Sequence, residues 1–78
     1  MKKLVEMICK SIVNNPEDVV VNQIDGEQTA ILELKINQSD MGFVIGKHGR
    51  TADSIRTIIN SASGKGKKKY TLEILDPV

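Results

Sequence analysis

This chain of 78 residues is poor in the residues on which many functional sites depend: it has no Trp and only one Phe, one Tyr, one Cys and one His. A single cysteine excludes an internal disulfide, and one histidine beside it leaves too few ligands for a zinc site within one chain. No apolar run approaches the roughly 20 residues that a membrane-spanning helix needs. Glu6 and Lys10 interrupt the apolar stretch that a secretion signal would require. The sequence therefore predicts a cytoplasmic protein of one domain, residues 1–78, without a metal, a cofactor or a membrane partner.

The formal net charge is only +1, but the charges are unevenly distributed. Residues 42–70 carry seven Lys and Arg side chains against Asp53 alone, a balance of +6. Residues 1–41 carry four basic and seven acidic side chains, a balance of −3, and the last eight carry two acidic ones. A basic half beside an acidic half is typical of proteins that bind a polyanion. For the lysines of residues 65–69 alone, a solvated loop is an equally good interpretation.

Apolar spacing predicts six elements in the order α-β-β-α-α-β. In chain order they are a helix at residues 2–13, strands at 19–24 and 29–37, helices at 40–45 and 50–63, and a strand at 70–74. Asp25 and Gly26 favour a turn that makes the first two strands an antiparallel hairpin. The last strand returns after two helices, so it should lie parallel to the second. This order predicts an α+β fold with a three-stranded mixed sheet and three helices on one face.

Apolar stripes on the predicted helices identify the candidate core. Ser39 is expected to cap the second helix, with Asp40 as a favourable charge in its first turn. Cys9 is expected to be a small core residue. The other helical residues expected to face the sheet are Leu4, Val5, Ile8, Ile12, Met41, Val44, Ile45, Ala52, Ile55, Ile59 and Ala62, with Ile58 alongside the last stripe.

The loop at residues 46–49 is the main candidate for a binding site. Gly46 and Gly49 flank Lys47 and His48, and Arg50 follows at the start of a helix. Glycine allows a tight turn and the close approach of another backbone. The N-terminus of the following helix adds free N–H groups and the positive end of the helix dipole. These features suit a phosphate backbone, although G-x-x-G alone also fits a plain turn between two helices.

No sequence motif indicates an enzyme. His48 is the only histidine, and nothing in the pattern suggests a nucleophile or a second acid–base group beside it. The phosphate-binding pattern G-x-x-x-x-G-K-[ST] is absent, and residues 46–49 join two helices rather than a strand and a helix. We therefore expect no catalytic residues and no small-molecule substrate.

The sequence Val-Ile-Gly-Lys-His-Gly at residues 44–49, followed by an apolar helix, resembles the signature of the K-homology (KH) domain. The predicted αββααβ order resembles the type II, prokaryotic form of that fold. Residues 15–19, 45–52 and 55–57 are similar to the small single-domain bacterial KH proteins of the KhpA, or YlqC, type. The resemblance covers nearly the whole chain, and its most specific part is the glycine loop with the helix after it.

The resemblance implies a single-stranded RNA-binding protein that holds roughly four nucleotides in a groove beside the loop. It implies that the two glycines allow close backbone approach and that the two residues between them point toward phosphates. It also implies that Ile45 and Ile55 line an apolar groove for bases. Arg56 lies at the edge of its helix, where a surface ion pair is as good an interpretation as an RNA contact. The expected RNA-binding residues are Ile45, Gly46, Lys47, His48, Gly49, Arg50, Ile55 and Arg56.

The resemblance also implies a homodimer, or a heterodimer with a larger KhpB-like or Jag-like KH protein. It implies roles in post-transcriptional regulation, as an RNA chaperone, and in cell shape. The alternative function is that of a protein-interaction subunit. Phe43 departs from the family pattern, which usually has a basic or polar residue there, and predicts either an exposed contact with RNA or a second subunit or a plain core contact. Lys65, Lys67 and Lys68 are candidates for an accessory RNA or dimer contact.

Overall fold

The computed structural model describes residues 1–64 and 68–75, and it contains the six expected elements in the expected order. They are helix α1 at Lys2–Ile12, strands β1 at Val20–Asp25 and β2 at Thr29–Lys35, helices α2 at Met41–Ile45 and α3 at Arg50–Ser63, and strand β3 at Lys69–Ile74. Short 3₁₀ turns occur at Pro16–Asp18, Gln38–Asp40 and Lys47–Gly49. The α+β prediction from the sequence is confirmed.

Strand β2 is the centre of a three-stranded mixed sheet. It pairs antiparallel with β1 and parallel with β3, and Leu32 lies opposite Leu72 in the parallel pair. Successive side chains of a strand point to opposite faces, so the alternation in β2 places one apolar set on the core side. The buried residues of this set are Ala30, Leu32, Leu34 and, just beyond the strand, Ile36.

The three helices cover one face of the sheet, with α1 packed on β1 and α3 packed on β3. Val5 and Cys9 of α1, Val44 of α2, and Ile55 and Ile59 of α3 are at most 2% exposed. Burying an aliphatic side chain of this size contributes about 1.5–3 kcal/mol to folding. Burial also raises the pKa of the Cys9 thiol to about 11. Among the described residues, no helix is long and apolar enough to cross a membrane.

Three residues that the apolar stripes predict to face the core are exposed instead, so that expectation is wrong for them. Ile12 and Ile45 are each 37% exposed, and Ala62 is exposed as well. Ile12 and Ile45 are the last residues of their helices, and Ala62 lies in the last turn of α3. Apolar spacing continues to the end of each helix, but no further helical turn covers these terminal positions.

Asp40 is fully buried, which the sequence analysis did not foresee. Its carboxylate accepts hydrogen bonds from the backbone N–H groups of Asn14 at 3.2 Å and Asn15 at 3.0 Å, and from the Asn15 side chain at 3.1 Å. Ser39 is not the cap, because the Asn37 side chain accepts from the Ser39 N–H at 2.9 Å and starts a 3₁₀ turn instead. Asp40 thus ties the chain after α1 to the start of α2, which leads into the loop at residues 46–49.

Candidate nucleic-acid interface

The loop at residues 46–49 has a positive φ angle at three of its four positions. The angles are +75° at Gly46, +57° at His48 and +74° at Gly49. Residues with a Cβ rarely adopt such angles, although histidine is among those that tolerate them. The Gly46 N–H donates to the Gly42 carbonyl at 2.9 Å, and the Gly49 N–H donates to the Gly46 carbonyl at 3.2 Å. The loop therefore holds its shape through its own backbone.

The two glycines of the loop have different surroundings. A Cβ added at Gly46 would lie 2.7 Å from the Cβ and 2.9 Å from the backbone N of Thr51. Non-bonded carbon atoms keep roughly 3.5 Å or more apart, so this position has no room for a side chain. A Cβ added at Gly49 would meet nothing within 4 Å. The chain itself occupies the space over Gly46, and the space over Gly49 is open.

Helix α3 begins directly after the loop, and no side chain caps its N-terminus. The Arg50 N–H donates to the Lys47 carbonyl, while Asp53 in the first turn complements the positive end of the helix dipole. The side chains of Lys47, His48 and Arg50 are exposed. Neither Lys47 nor Arg50 belongs to an ion pair within residues 1–64 and 68–75. This end of α3 therefore presents basic side chains to an approaching anion.

An open groove of about 680 Å³ lies between the loop, α3 and β3. Its walls are the first two turns of α3 on one side and the second half of β3 with the residue after it on the other. His48 and Gly49 line the groove at the loop. Its apolar lining residues are Ile45, Ala52, Leu72, Ile74 and Leu75.

The free edge of β3 borders this groove. The N–H groups of Lys69 and Leu75 donate to carbonyls of Gln28 and Leu34, each at 2.9 Å, so both point toward β2. Backbone hydrogen bonds along a parallel strand alternate with a period of two residues. The N–H and C=O groups of Leu72 and Ile74 are consequently directed away from β2, beside the apolar lining of the groove. A planar group in the groove would meet both apolar surface and backbone hydrogen-bonding groups.

The structure separates the two isoleucines expected on the groove wall. Ile45 lines the groove, but Ile55 is 2% exposed and belongs to the hydrophobic core. Ile55 belongs to the buried stripe of α3 on the side away from the groove, whereas Ala52, at the other edge of that stripe, and Arg56 line the groove. The expectation that Ile55 lines the groove is therefore corrected to a role in the core.

Arg56 makes the surface ion pair that the sequence left open. Its guanidinium lies 3.2 Å from the Asp53 carboxylate, and the two side chains are 45% and 74% exposed. Both residues line the groove. An exposed pair of this kind contributes about 0–1 kcal/mol, so an incoming phosphate can replace the carboxylate at little cost.

Lys68, directly before β3, lies far from the loop at residues 46–49. The start of α3 shares the groove with the end of β3, so the end of α3 and the start of β3 are at the opposite end of the molecule. The 14 residues of α3 correspond to about 21 Å of helix. Lys68 Nζ lies 3.3 Å from the Asp25 carboxylate there. Lys65 and Lys67 lie outside the described residues.

Phe43 is 49% exposed on α2, so the alternative of a plain core contact is wrong. Its neighbour Val44 is fully buried, and α2 therefore turns Phe43 away from the core. An exposed aromatic side chain adjacent to the loop is available to RNA or to a protein surface.

Sequence reasoning did not include the β3 wall among the site residues. Leu72, Glu73 and Ile74 line the groove, although they are more than 20 residues from the loop in the chain. The signal for them was the predicted parallel return of the last strand, which places its end beside the start of the preceding helix. Among the described residues, no group of three or more His, Cys, Asp or Glu side chains is placed to hold a metal ion.

A three-stranded mixed sheet in the order αββααβ, with a G-x-x-G turn between its second and third helices, defines a KH domain of type II. The sequence model of the family described as KhpA/KhpB, KH domain, matches residues 2–74. The chain therefore belongs to the KhpA/KhpB KH-domain family.

Several curated relatives match nearly the whole chain, and each of those described here is named RNA-binding protein KhpA. The relative from Clostridium perfringens is 55% identical and that from Clostridium acetobutylicum 51% identical, each over 96% of this chain and 100% of the relative. The relative from Borreliella burgdorferi is 45% identical over 95% of this chain and 90% of its own length. No solved structure was found to match the chain significantly.

Proposed function

We propose that this chain binds single-stranded RNA, with the RNA backbone against the loop at residues 46–49 and the bases in the groove between α3 and β3. The observation that carries the proposal is the open space over Gly49, a residue that also lines the groove. A phosphodiester backbone can approach the loop at this point and continue into the groove. The relatives named RNA-binding protein KhpA support the same class of ligand.

The loop supplies the contacts to phosphate in this proposal. Lys47 acts as a mobile point charge, and Arg50 offers a planar guanidinium that can donate two parallel hydrogen bonds. His48, whose backbone has a positive φ angle, donates a hydrogen bond from its ring. These contacts carry affinity but no sequence information, because every nucleotide has the same phosphate.

The groove supplies the contacts to bases. Its apolar lining, with Ile45 on one side and Leu72 and Ile74 on the other, accepts the faces of roughly four nucleotides, as KH modules do. No Phe, Tyr or Trp among the described residues lines it, so each base stacks less strongly than on a platform of such side chains. A single copy of the site should therefore bind weakly, and two linked copies would bind a longer RNA with higher avidity.

The double substitution Lys47→Asp with His48→Asp tests the role of the loop. Aspartate tolerates a positive φ angle, so the backbone at residue 48 is preserved. We expect affinity for a short single-stranded RNA at low salt, measured by fluorescence anisotropy, to fall roughly tenfold or more. The slope of affinity against salt concentration should also become shallower, because fewer counterions are released.

The matched control is Lys2→Asp with Lys3→Gln, which makes the same change in formal charge on α1. Both lysines are exposed, and α1 packs on β1, at the opposite edge of the sheet from β3 and the groove. This control should bind RNA nearly as tightly as the wild type. Equal affinities in wild type, control and a folded double mutant would rule out the loop as the phosphate contact.

The exposed Phe43 supports a second candidate function, that of a protein-interaction subunit. In this proposal the chain forms a homodimer, or pairs with a larger KhpB-like or Jag-like KH protein, and takes part in post-transcriptional regulation in the cytoplasm without catalysing a reaction. Mass in solution, measured by light scattering for wild type and Phe43→Lys, tests the homodimer. A dimer that becomes a monomer in the variant supports a Phe43 contact, and a monomer in both rules it out.

A further inference from the structure

Asp53 places a carboxylate at the rim of the groove, on the wall formed by α3. The residues that α3 and its N-cap contribute to this wall are spaced three and four apart, so they share one face of the helix. They are Gly49, Ala52, Asp53 and Arg56. Ala52 is 4% exposed and lies toward the core, whereas the Asp53 side chain is 74% exposed. Asp53 therefore stands on the solvent side of this wall, roughly 6 Å along the helix from Gly49.

One oxygen of the Asp53 carboxylate is free to accept a hydrogen bond. The Arg56 guanidinium donates to Oδ1 at 3.2 Å. Within the part of the chain that the structure describes, no group donates a hydrogen bond to Oδ2. An ionised carboxylate only accepts hydrogen bonds, and it repels the phosphate oxygens, which also only accept. The group of a bound RNA that contacts Oδ2 must therefore be a donor on a sugar or on a base.

The sugar is the part of a bound nucleotide that passes this rim. In the proposed mode the phosphates lie at the loop and the bases lie on the apolar lining of the groove, and each ribose joins the two. The ribose that follows a phosphate at Gly49 therefore passes the first turn of α3, where Asp53 stands. Its 2′-hydroxyl can donate a hydrogen bond, and DNA has no such group.

We infer that Asp53 makes the site select RNA over DNA, because its free oxygen accepts a hydrogen bond from the 2′-hydroxyl of a ribose at the rim. The ion pair with Arg56 supports this role by holding the other carboxylate oxygen in place. The inference rests on the proposed function, since it requires a nucleotide in the groove. The N–H groups of the bases are the alternative donors, and the test separates them from the hydroxyl.

The test measures affinity at low salt, by fluorescence anisotropy, for two pools of single-stranded hexanucleotides of random sequence. One pool contains ribose, and the other contains 2′-fluororibose, which keeps the sugar pucker of RNA but cannot donate a hydrogen bond at this position. Random sequence averages over any base preference, so the ratio of the two affinities reports on the sugar alone.

The protein variants are Asp53→Ala and, as a matched control, Asp18→Ala. Each removes one negative charge from an exposed residue, but only Asp53 lines the groove. Alanine is the best helix former, and the Asp53 side chain is exposed, so Asp53→Ala should keep the fold. Circular dichroism confirms that both variants are folded under the conditions of the binding measurement.

Wild type should bind the ribose pool roughly three to ten times more tightly than the 2′-fluoro pool. Asp18→Ala should keep this ratio, and Asp53→Ala should bring it close to one. The same ratio in wild type and Asp53→Ala, or equal binding of the two pools by wild type, would overturn the inference and leave the proposed function standing. Failure of wild type to bind either pool would overturn both.

Discussion

Gly46 and Gly49 stand at the two ends of one loop, and their φ angles are nearly the same, +75° and +74°. Thr51 fills the space that a side chain at Gly46 would need, whereas the corresponding space at Gly49 is open. The fold of this chain requires the first glycine, and the second leaves a surface that a ligand can approach. The two glycines of the G-x-x-G motif thus serve different purposes: packing requires Gly46, and Gly49 leaves room for a ligand.

The comparison extends to the segments on either side of the loop. The entry side is anchored by the buried Asp40, whose hydrogen bonds join the chain after α1 to the start of α2. The exit side opens into the groove through Gly49 and the first turns of α3. Substitutions on the entry side should therefore affect stability most, and substitutions on the exit side should affect binding most.

The largest loss of stability is expected for Asp40→Ala. This change removes the buried acceptor of three part-buried hydrogen bonds from Asn14 and Asn15, at a cost of about 3 kcal/mol in the free energy of unfolding. Asp18→Ala is the control, because Asp18 is exposed and accepts one hydrogen bond from the Asn37 side chain at 3.0 Å. It should cost less than about 1 kcal/mol. Urea denaturation of both variants measures the difference, and equal losses would contradict an anchored entry side.

The two glycines themselves give the next largest effect. Gly46→Ala combines a positive φ angle with overlap against Thr51, so it should cost about 2–3 kcal/mol. Gly49→Ala has only the unfavourable φ angle, at about 1 kcal/mol. Thermal unfolding followed by circular dichroism measures both. The comparison fails if Gly49→Ala is the more destabilising of the two.

Gly49→Ala should also weaken RNA binding, whereas the control substitution Gly42→Ala should not. In Gly49→Ala a methyl group occupies the open space beside the groove, so affinity should fall roughly threefold or more while the fold is kept. Gly42→Ala is a suitable control, since a Cβ there meets nothing within 4 Å and α2 accepts alanine. Unchanged RNA affinity in Gly49→Ala, measured well below its unfolding temperature, would show that the open space is not used.

His48 gives a smaller effect with the opposite sign. Its φ angle of +57° favours glycine, so His48→Gly should relieve strain in the folded state. The greater freedom of glycine in the unfolded chain offsets part of the gain, leaving a net stabilisation between zero and about 1 kcal/mol. Lys47→Gly lacks the strain relief and should be slightly destabilising. A loss of stability in His48→Gly larger than that in Lys47→Gly would mean that the His48 ring supports the loop.

Asp25, which pairs with Lys68 at the end of the molecule far from the loop, should give the smallest effect. This effect should depend on pH. Hydrogen bonds from the side chains of Gln23 and Lys68 hold the pKa of Asp25 below its ordinary value of 3.8. The folded state thus favours the charged carboxylate, so its contribution is present above pH 3.8 and is lost as pH falls through the lower folded-state pKa. Any stability difference between wild type and Asp25→Asn at pH 7 should shrink at pH 3. A difference that grows at pH 3 would contradict the direction of this pKa shift.

Much of the fold follows from patterns within single segments. The alternation of apolar residues in β2 identified the core face, and helical spacing identified both ends of α3. The same local patterns placed the glycine loop between two helices. Periodicity failed at Ile12 and Ile45, because the pattern within a helix does not say where the neighbouring elements stop covering it. It also could not show that Ile55 lies inside while Ala52, one turn earlier, borders the groove.

The sequence by itself determined the order of elements, the glycine loop with its basic neighbours, and the family, since each of these is written in residues close together in the chain. Tertiary structure alone decided that Asp40 reaches donors 25 and 26 residues away, that Thr51 fills the space at Gly46, and that β3 forms the second wall of the groove. These features depend on how separate elements pack, and the free energy of packing comes from contacts that no single segment contains.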